Sequence, residues 1–192
     1  MTKPFILGIG GTTRPGSSSE LVLRAALKEI EAIGGETGIL AGPDLVLALY
    51  APENPERDPK AETLIELIRR ADGVVIASPG YHGSISGMIK NALDYVEDTA
   101  KDPRPYLDGR AVGCIACAYG WQATGSTLIA LRTIVHALRG WPTPLGVAAN
   151  TTMKLFGEDG CCIDPGISGN LRVLAQQVMH FARLSACLET VE

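Results

Sequence analysis

The chain has 192 residues, 46% hydrophobic and 20% charged, a balance that excludes collagen-like, coiled-coil and disordered classes and suits one domain with its own core. Its 17 basic and 21 acidic residues leave a formal net charge of −4, so no sequence-wide attraction draws it to nucleic acid or an anionic membrane. No apolar run approaches bilayer length, and Met1-Thr2-Lys3-Pro4 leads into a short glycine-broken run instead of a signal-peptide core; a cytoplasmic protein of one domain, residues 1–192, is expected.

In chain order, Phe5 to Gly10 predicts a strand, and Leu23, Leu27, Ile30 and Ile33 recur at the spacing of one helix face. Glu36 to Leu40 predicts the second strand. A connection rich in proline and charge, Ala51 to Pro59, leads to a helix marked by Leu64, Ile68 and Ala71, after which Gly73 to Ser78 predicts the third strand. A helix near Met88 and a turn-rich stretch from Lys101 to Gly109 precede the fourth strand, Ala111 to Ala118. Leu128, Leu131, Val135 and Leu138 mark the next helix, Pro144 to Ala149 the fifth strand, and Leu171, Leu174, Val178 and Phe181 the last helix. Most of the strand runs are apolar almost without alternation, as strands buried on both faces are. Strand and helix alternating in this way predict an α/β fold of three layers around a parallel sheet.

Cys114 and Cys117 have CxxC spacing, but they fall in a strand, where residues three apart point to opposite faces; core packing is expected, not zinc or redox chemistry. Cys161 and Cys162 fall in a glycine-rich loop and Cys187 in the last helical pattern, all thiols in a reducing compartment. His82, His136 and His180 are scattered with no acidic or cysteine cluster at metal spacing, so no metal site is expected.

In an open parallel sheet, ligands bind outside the carboxyl ends of the strands. The loop after strand one, Gly10-Gly11-Thr12-Thr13-Arg14-Pro15-Gly16-Ser17-Ser18-Ser19, has the composition of a phosphate site. Glycines let backbone N–H groups face an anion, hydroxyls add donors, Arg14 adds a charged fork and the next helix its dipole. The plain alternative is a Ser/Gly turn with Ser18 or Ser19 as N-cap, for which Glu20 is badly placed as a capping-box partner. Gly11 and Gly16 have Walker A spacing, but Ser17 stands in place of the lysine; Gly8-Ile9-Gly10 begins a dinucleotide fingerprint, but Thr13 stands in place of the third glycine. A terminal monophosphate fits better than ATP, GTP or a pyrophosphate. Gly83-Ser84-Ile85-Ser86-Gly87 has isoleucine where a nucleophile elbow needs serine, which argues against an α/β-hydrolase.

The loop after strand three sets Tyr81 and His82 among glycines, suited to edging a planar ring, although Tyr81 as a loop anchor and His82 as a solvated side chain account for it equally well. Residues 10–19, together with Ser78-Pro79-Gly80-Tyr81-His82-Gly83-Ser84-Ile85-Ser86-Gly87 and the continuation Met88-Ile89-Lys90-Asn91-Ala92-Leu93-Asp94, resemble the NAD(P)H-dependent FMN reductase family, which includes quinone and azo reductases. The resemblance runs from the first strand to the final helix. It implies a flavodoxin-like fold, with the five parallel strands in the order 2-1-3-4-5 and the loops after strands one, three and four converging at one edge.

By that resemblance, Thr12, Arg14, Ser17, Ser18 and Ser19 would hold the FMN phosphate, and Pro79, Gly80, Tyr81, His82, Gly83 and Ser84 would line the ribityl chain and ring. Tyr119, Gly120 and Trp121 would complete the site, with Trp121 where the family commonly has a small glycine; Lys90 and Asp94 would be structural. The implied activity is hydride transfer from NADPH or NADH to FMN, with electrons passed on to free flavin or a quinone-like acceptor. The flavin carries the chemistry, and His82 alone could serve as a general acid. A homodimer or homotetramer with the flavin near a subunit boundary is expected. A flavodoxin-type electron carrier without NAD(P)H activity is the alternative, although the strong acidity usual for one is missing; a cofactor-free interaction domain is a third, opposed by the intact hydroxyl-and-arginine loop.

Overall fold

The computed structural model of the chain describes residues 3–189. Seven strands and five α-helices follow in order: β1 (Phe5–Gly10), α1 (Ser18–Ala32), β2 (Glu36–Ala41), α2 (Pro59–Arg70), β3 (Gly73–Tyr81), β4 (Ser84–Ile85), α3 (Gly87–Asp94), β5 (Ala111–Ala118), α4 (Trp121–Ala137), β6 (Trp141–Pro142), β7 (Val147–Asn150) and α5 (Pro165–Glu189). Short 3₁₀ turns occupy Gly42–Leu45 and Tyr95–Thr99. The sheet runs β2-β1-β3-β5, with β6 and β7 both paired to β5 at the far edge, all parallel.

Burial on both faces explains the unbroken apolar runs of β1, β3 and β5. Phe5, Leu7 and Ile9 of β1, Val74 and Ile76 of β3, and Val112 and Cys114 of β5 pack against α2, α3 and α4. Ile6, Val75, Ala77, Ile115 and Cys117 pack on the other side against α1 and α5. Cys114 and Cys117 thus enter opposite cores, and burial pushes both thiols up to about 12. They are neutral core groups.

Four of the five helices start where the sequence offers a side-chain cap, and α4 starts after Gly120 without one. Asp58 accepts the N–H groups of Lys60 and Ala61 at 2.8 and 3.0 Å ahead of Pro59, and Asp164 accepts from Ile167 at 2.8 Å ahead of Pro165. Among the described residues no helix is long and apolar enough to cross a membrane.

Three expectations need correction. The sheet holds seven strands, not five, and β4 is antiparallel: β3 runs on to Tyr81 and returns through His82 and Gly83, whose φ angles of 51° and 86° make a tight hairpin turn. The fifth strand position is split. Pro144 has no N–H to give to a ladder, so the chain leaves β5 after Thr143, whose N–H still donates to Val112 O at 3.0 Å, and rejoins it at Val147. The helix cap after β1 is Ser17, not Ser18 or Ser19, and Glu20 does contribute to it, accepting the Gly16 N–H at 3.0 Å.

Candidate functional site

The carboxyl ends of β1, β3, β5 and β7 face one edge of the sheet, and the loops leaving them enclose a cavity of about 330 Å³. It is lined by Thr12, Arg14, Ser17, Ser18 and Ser19 from the first loop, Pro79, Gly80 and Tyr81 from the end of β3, and Cys117, Ala118, Tyr119 and Thr151. A second cavity of about 410 Å³ shares Tyr119 and is lined further by Gly83, Gly120, Trp121, Gln122, Ala123 and Ser126. The three predicted loops therefore converge. Of the residues expected at the site, His82 and Ser84 line neither cavity; His82 stands exposed at the hairpin tip.

The first loop is set by its own short-range bonds. The Thr12 hydroxyl accepts the Arg14 N–H at 3.1 Å, and Ser17 Oγ accepts the Glu20 N–H at 3.4 Å as the cap of α1. The first amides of α1, at Ser18 and Ser19, have no partner within the helix. Glu20 does not repel an incoming anion freely, because its carboxylate is already tied to the Gly16 N–H and to Arg24 at 2.8 Å. The Arg14 side chain is exposed and makes no hydrogen bond or ion pair among the described residues, so hydroxyl residues, the start of a helix and a free guanidinium line one cavity.

The second loop is held from beneath. Ser78 is fully buried, donates to Pro79 O at 2.9 Å and accepts the Ser86 N–H at 3.0 Å, while Ser86 caps α3 through the Ile89 N–H at 3.2 Å. Asn91 of the Lys-Asn-Ala-x-Asp stretch accepts the Tyr50 N–H at 2.9 Å and donates to Ala48 O at 2.8 Å. Lys90 and Asp94 pair at 2.5 Å on the surface of α3. These residues brace the hairpin and the chain beside it.

Cys117, Ala118 and Thr151 were not among the residues expected at the site. Cys117 and Ala118 end a strand whose carboxyl edge was already suspect, and the polar run Asn150-Thr151-Thr152 repeats the pattern of the other strand ends once β7 is known to reach Asn150. The cavity is lined both by phosphate-type donors and by Tyr81 and Tyr119, which suits a group that joins a terminal phosphate to a planar ring system.

Fold and donor set together define a flavodoxin-like flavin mononucleotide protein. Residues 4–153 match the model of the NADPH-dependent FMN reductase family, and the chain belongs to that family: it is an NAD(P)H-dependent oxidoreductase that works with FMN. It is 31% identical over 186 residues to a probable NADPH:quinone oxidoreductase 2 of Oryza sativa subsp. japonica, covering 92% of this chain and 88% of the relative. It is 31% identical over 163 residues to an NADPH azoreductase of Bacillus sp. (strain OY1-2), covering 84% and 80%. Among solved structures, the flavoenzyme NAD(P)H:(acceptor) oxidoreductase of Paracoccus denitrificans superposes with a TM-score of 0.75 at 17% identity, over 95% of this chain and 98% of that one. A flavodoxin-like protein of Agrobacterium tumefaciens superposes with a TM-score of 0.64 at 15% identity, over 95% and 99%.

Proposed function

We propose that the chain is an NAD(P)H-dependent reductase of quinone-like acceptors that keeps FMN at the carboxyl edge of its sheet. The observation that carries this reading is the free guanidinium of Arg14 and the first amides of α1 at the same cavity as Tyr81 and Tyr119. Thr12, Arg14, Ser17, Ser18 and Ser19 would hold the phosphate, Pro79, Gly80, Tyr81 and Gly83 the ribityl chain and ring, and Tyr119, Gly120 and Trp121 would border the open face of the ring; His82 and Ser84, outside both cavities, would take no part. When bound, FMN supplies a centre that accepts hydride from nicotinamide and yields electrons to an acceptor.

The protein's own tasks are binding and exclusion. Arg14 neutralises the phosphate, the α1 amides complete its hydrogen bonds, and the aromatic side chains keep water from the ring. The relatives named for quinones and azo compounds support a small organic acceptor, free flavin included. The five thiols suit a reducing cytoplasm. Ile129 on α4 is 69% accessible, and an exposed apolar side chain of that size supports a homodimer or homotetramer built on that helix.

Nicotinamide and acceptor would share one ring face and take turns there. Initial rates over a grid of NAD(P)H and quinone concentrations test this: parallel double-reciprocal lines are expected, and intersecting lines would require a ternary complex that one shared face does not admit. If neither nucleotide is oxidised by FMN-loaded protein, the reductase reading fails and electron carriage remains.

A further inference from the structure

The second cavity differs from the first in composition. Tyr119, Trp121, Gln122, Ala123 and Ser126 form its wall between two glycines, with no lysine, arginine, aspartate, glutamate or histidine among its lining. Within three residues it carries two large rings, 83% and 62% accessible at Tyr119 and Trp121. Apolar ring faces left in water at the mouth of a cavity favour a flat partner that can stack on them.

A tertiary clasp aims the rings. Gly120, between them, has φ 110°, a conformation that other residues rarely adopt, and it caps α4 without a side chain. Its N–H donates to Asn150 Oδ1 at 3.0 Å, and the same oxygen accepts the Thr152 N–H at 3.1 Å and the Thr152 hydroxyl at 2.9 Å. Asn150 is 5% accessible and ends β7, while the Thr151 N–H donates to Ala118 O at 2.9 Å. The turn that carries both rings is therefore anchored across the sheet to the neighbouring strand.

We propose that Tyr119 and Trp121 form the subsite of the electron acceptor, which they select as a planar aromatic ring of the quinone type, and that Asn150 is the positioning residue that aims them. The proposal rests on the flavin reading above. In the net reaction NAD(P)H gives up a hydride, the quinone takes two electrons and two protons, one of them from water, and NAD(P)⁺ and the quinol leave. Stacking on the pair favours a ring acceptor over ferricyanide, a compact inorganic anion that takes single electrons without a flat face to dock.

The test uses the full chain with Trp141→Phe, which leaves Trp121 as the sole tryptophan of the two present. Trp141 pairs with Ala111, about 23 Å of strand away from Ala118. Titrating menadione into the flavin-free protein should quench Trp121 emission saturably; linear, collisional quenching overturns the subsite. Asn150→Leu should weaken that binding about tenfold, whereas Asn150→Asp, which keeps the accepting oxygens, should stay within about threefold of the parent. In turnover with FMN, Trp121→Gly and Asn150→Leu should each lower the ratio of menadione to ferricyanide efficiency about tenfold, with the FMN Kd moving less than the menadione KM. An unmoved ratio overturns the proposal. Should Asn150→Leu fail to fold, the quenching curve and Trp121→Gly decide. FMN binding and ferricyanide reduction with an unmoved ratio defeat only the subsite, whereas no FMN binding and no NAD(P)H oxidation defeat the parent reading as well.

Discussion

At the carboxyl edge of the sheet Arg14 is exposed and unpaired, while at the amino edge Arg110 is 1% accessible and fully claimed. Arg110 Nε donates to Ala71 O at 2.8 Å and Nη2 to Arg69 O at 3.2 Å, both carbonyls at the end of α2; Nη1 donates to Tyr106 O at 3.2 Å and Asp108 O at 3.4 Å. Burial, and secondarily Arg104, lower its pKa to about 10, so it remains a cation at neutral pH, held by the carbonyls of a helix C-terminus. At the same edge the Asp72 carboxylate accepts the Phe5 N–H at 2.7 Å. Here the amino edge spends Arg110 and Asp72 on the fold. The carboxyl edge leaves the Ser18 and Ser19 amides without a partner in the helix and Arg14 without a hydrogen bond or ion pair among the described residues, and that surplus is what makes it a site.

The contrast is sharpest for stability. Arg110→Leu strands several buried carbonyls and should cost at least about 3 kcal/mol, read as a lower denaturant midpoint; a loss below ~1 kcal/mol would mean that water replaces the guanidinium and the amino edge is not closed. Arg14→Ala should do the reverse. It should leave the midpoint of the flavin-free protein in place while weakening FMN by about 1.5 to 3 kcal/mol and hardly affecting riboflavin; equal losses for the two flavins would show that Arg14 does not read the phosphate.

A smaller effect belongs to the cluster beside α2. Arg57 lies over the Tyr50 and Tyr95 rings, 5.1 and 5.4 Å from their centroids, and its Nε and Nη2 reach the Asp98 carboxylate at 2.6 and 2.9 Å. Those hydrogen bonds hold Asp98 below its ordinary value of 3.8. A carboxyl lowered by folding stabilises the native chain above its unfolded pKa, and the benefit disappears as the pH falls through the lower, folded value. Asp98→Asn should therefore cost about 1 to 2 kcal/mol at pH 7, and the gap from wild type should close as the pH is taken below 3.8; a gap that stays constant into acid would assign the loss to packing. Smallest of all, Lys90→Ala removes a half-exposed pair and should change stability by less than about 0.5 kcal/mol, with FMN affinity unmoved; a clear loss of affinity would draw α3 into the site.

Local patterning carried most of the fold. Unbroken apolar runs at β1, β3 and β5 and helical spacing between them require a sheet covered on both faces, and the alternation of side chains along β5 already separates Cys114 from Cys117. The first loop was legible for the same reason, since its donors, cap and helix lie within ten residues of one another. What the sequence could not specify depends on groups far apart in the chain. The split edge strand follows from Pro144 only once β5 is known to lie beside it, and Tyr81 joins Tyr119 at one cavity only because β3 and β5 are neighbours. Arg110 reads like any surface arginine until the end of α2 and the turn at Tyr106 bring four carbonyls to it, and Asn150 reads like a loop residue until Gly120 arrives from the adjacent strand. Periodicity is a property of neighbours along the chain, whereas the saturation of a buried polar group is a property of neighbours in space, and only the tertiary structure brings those together.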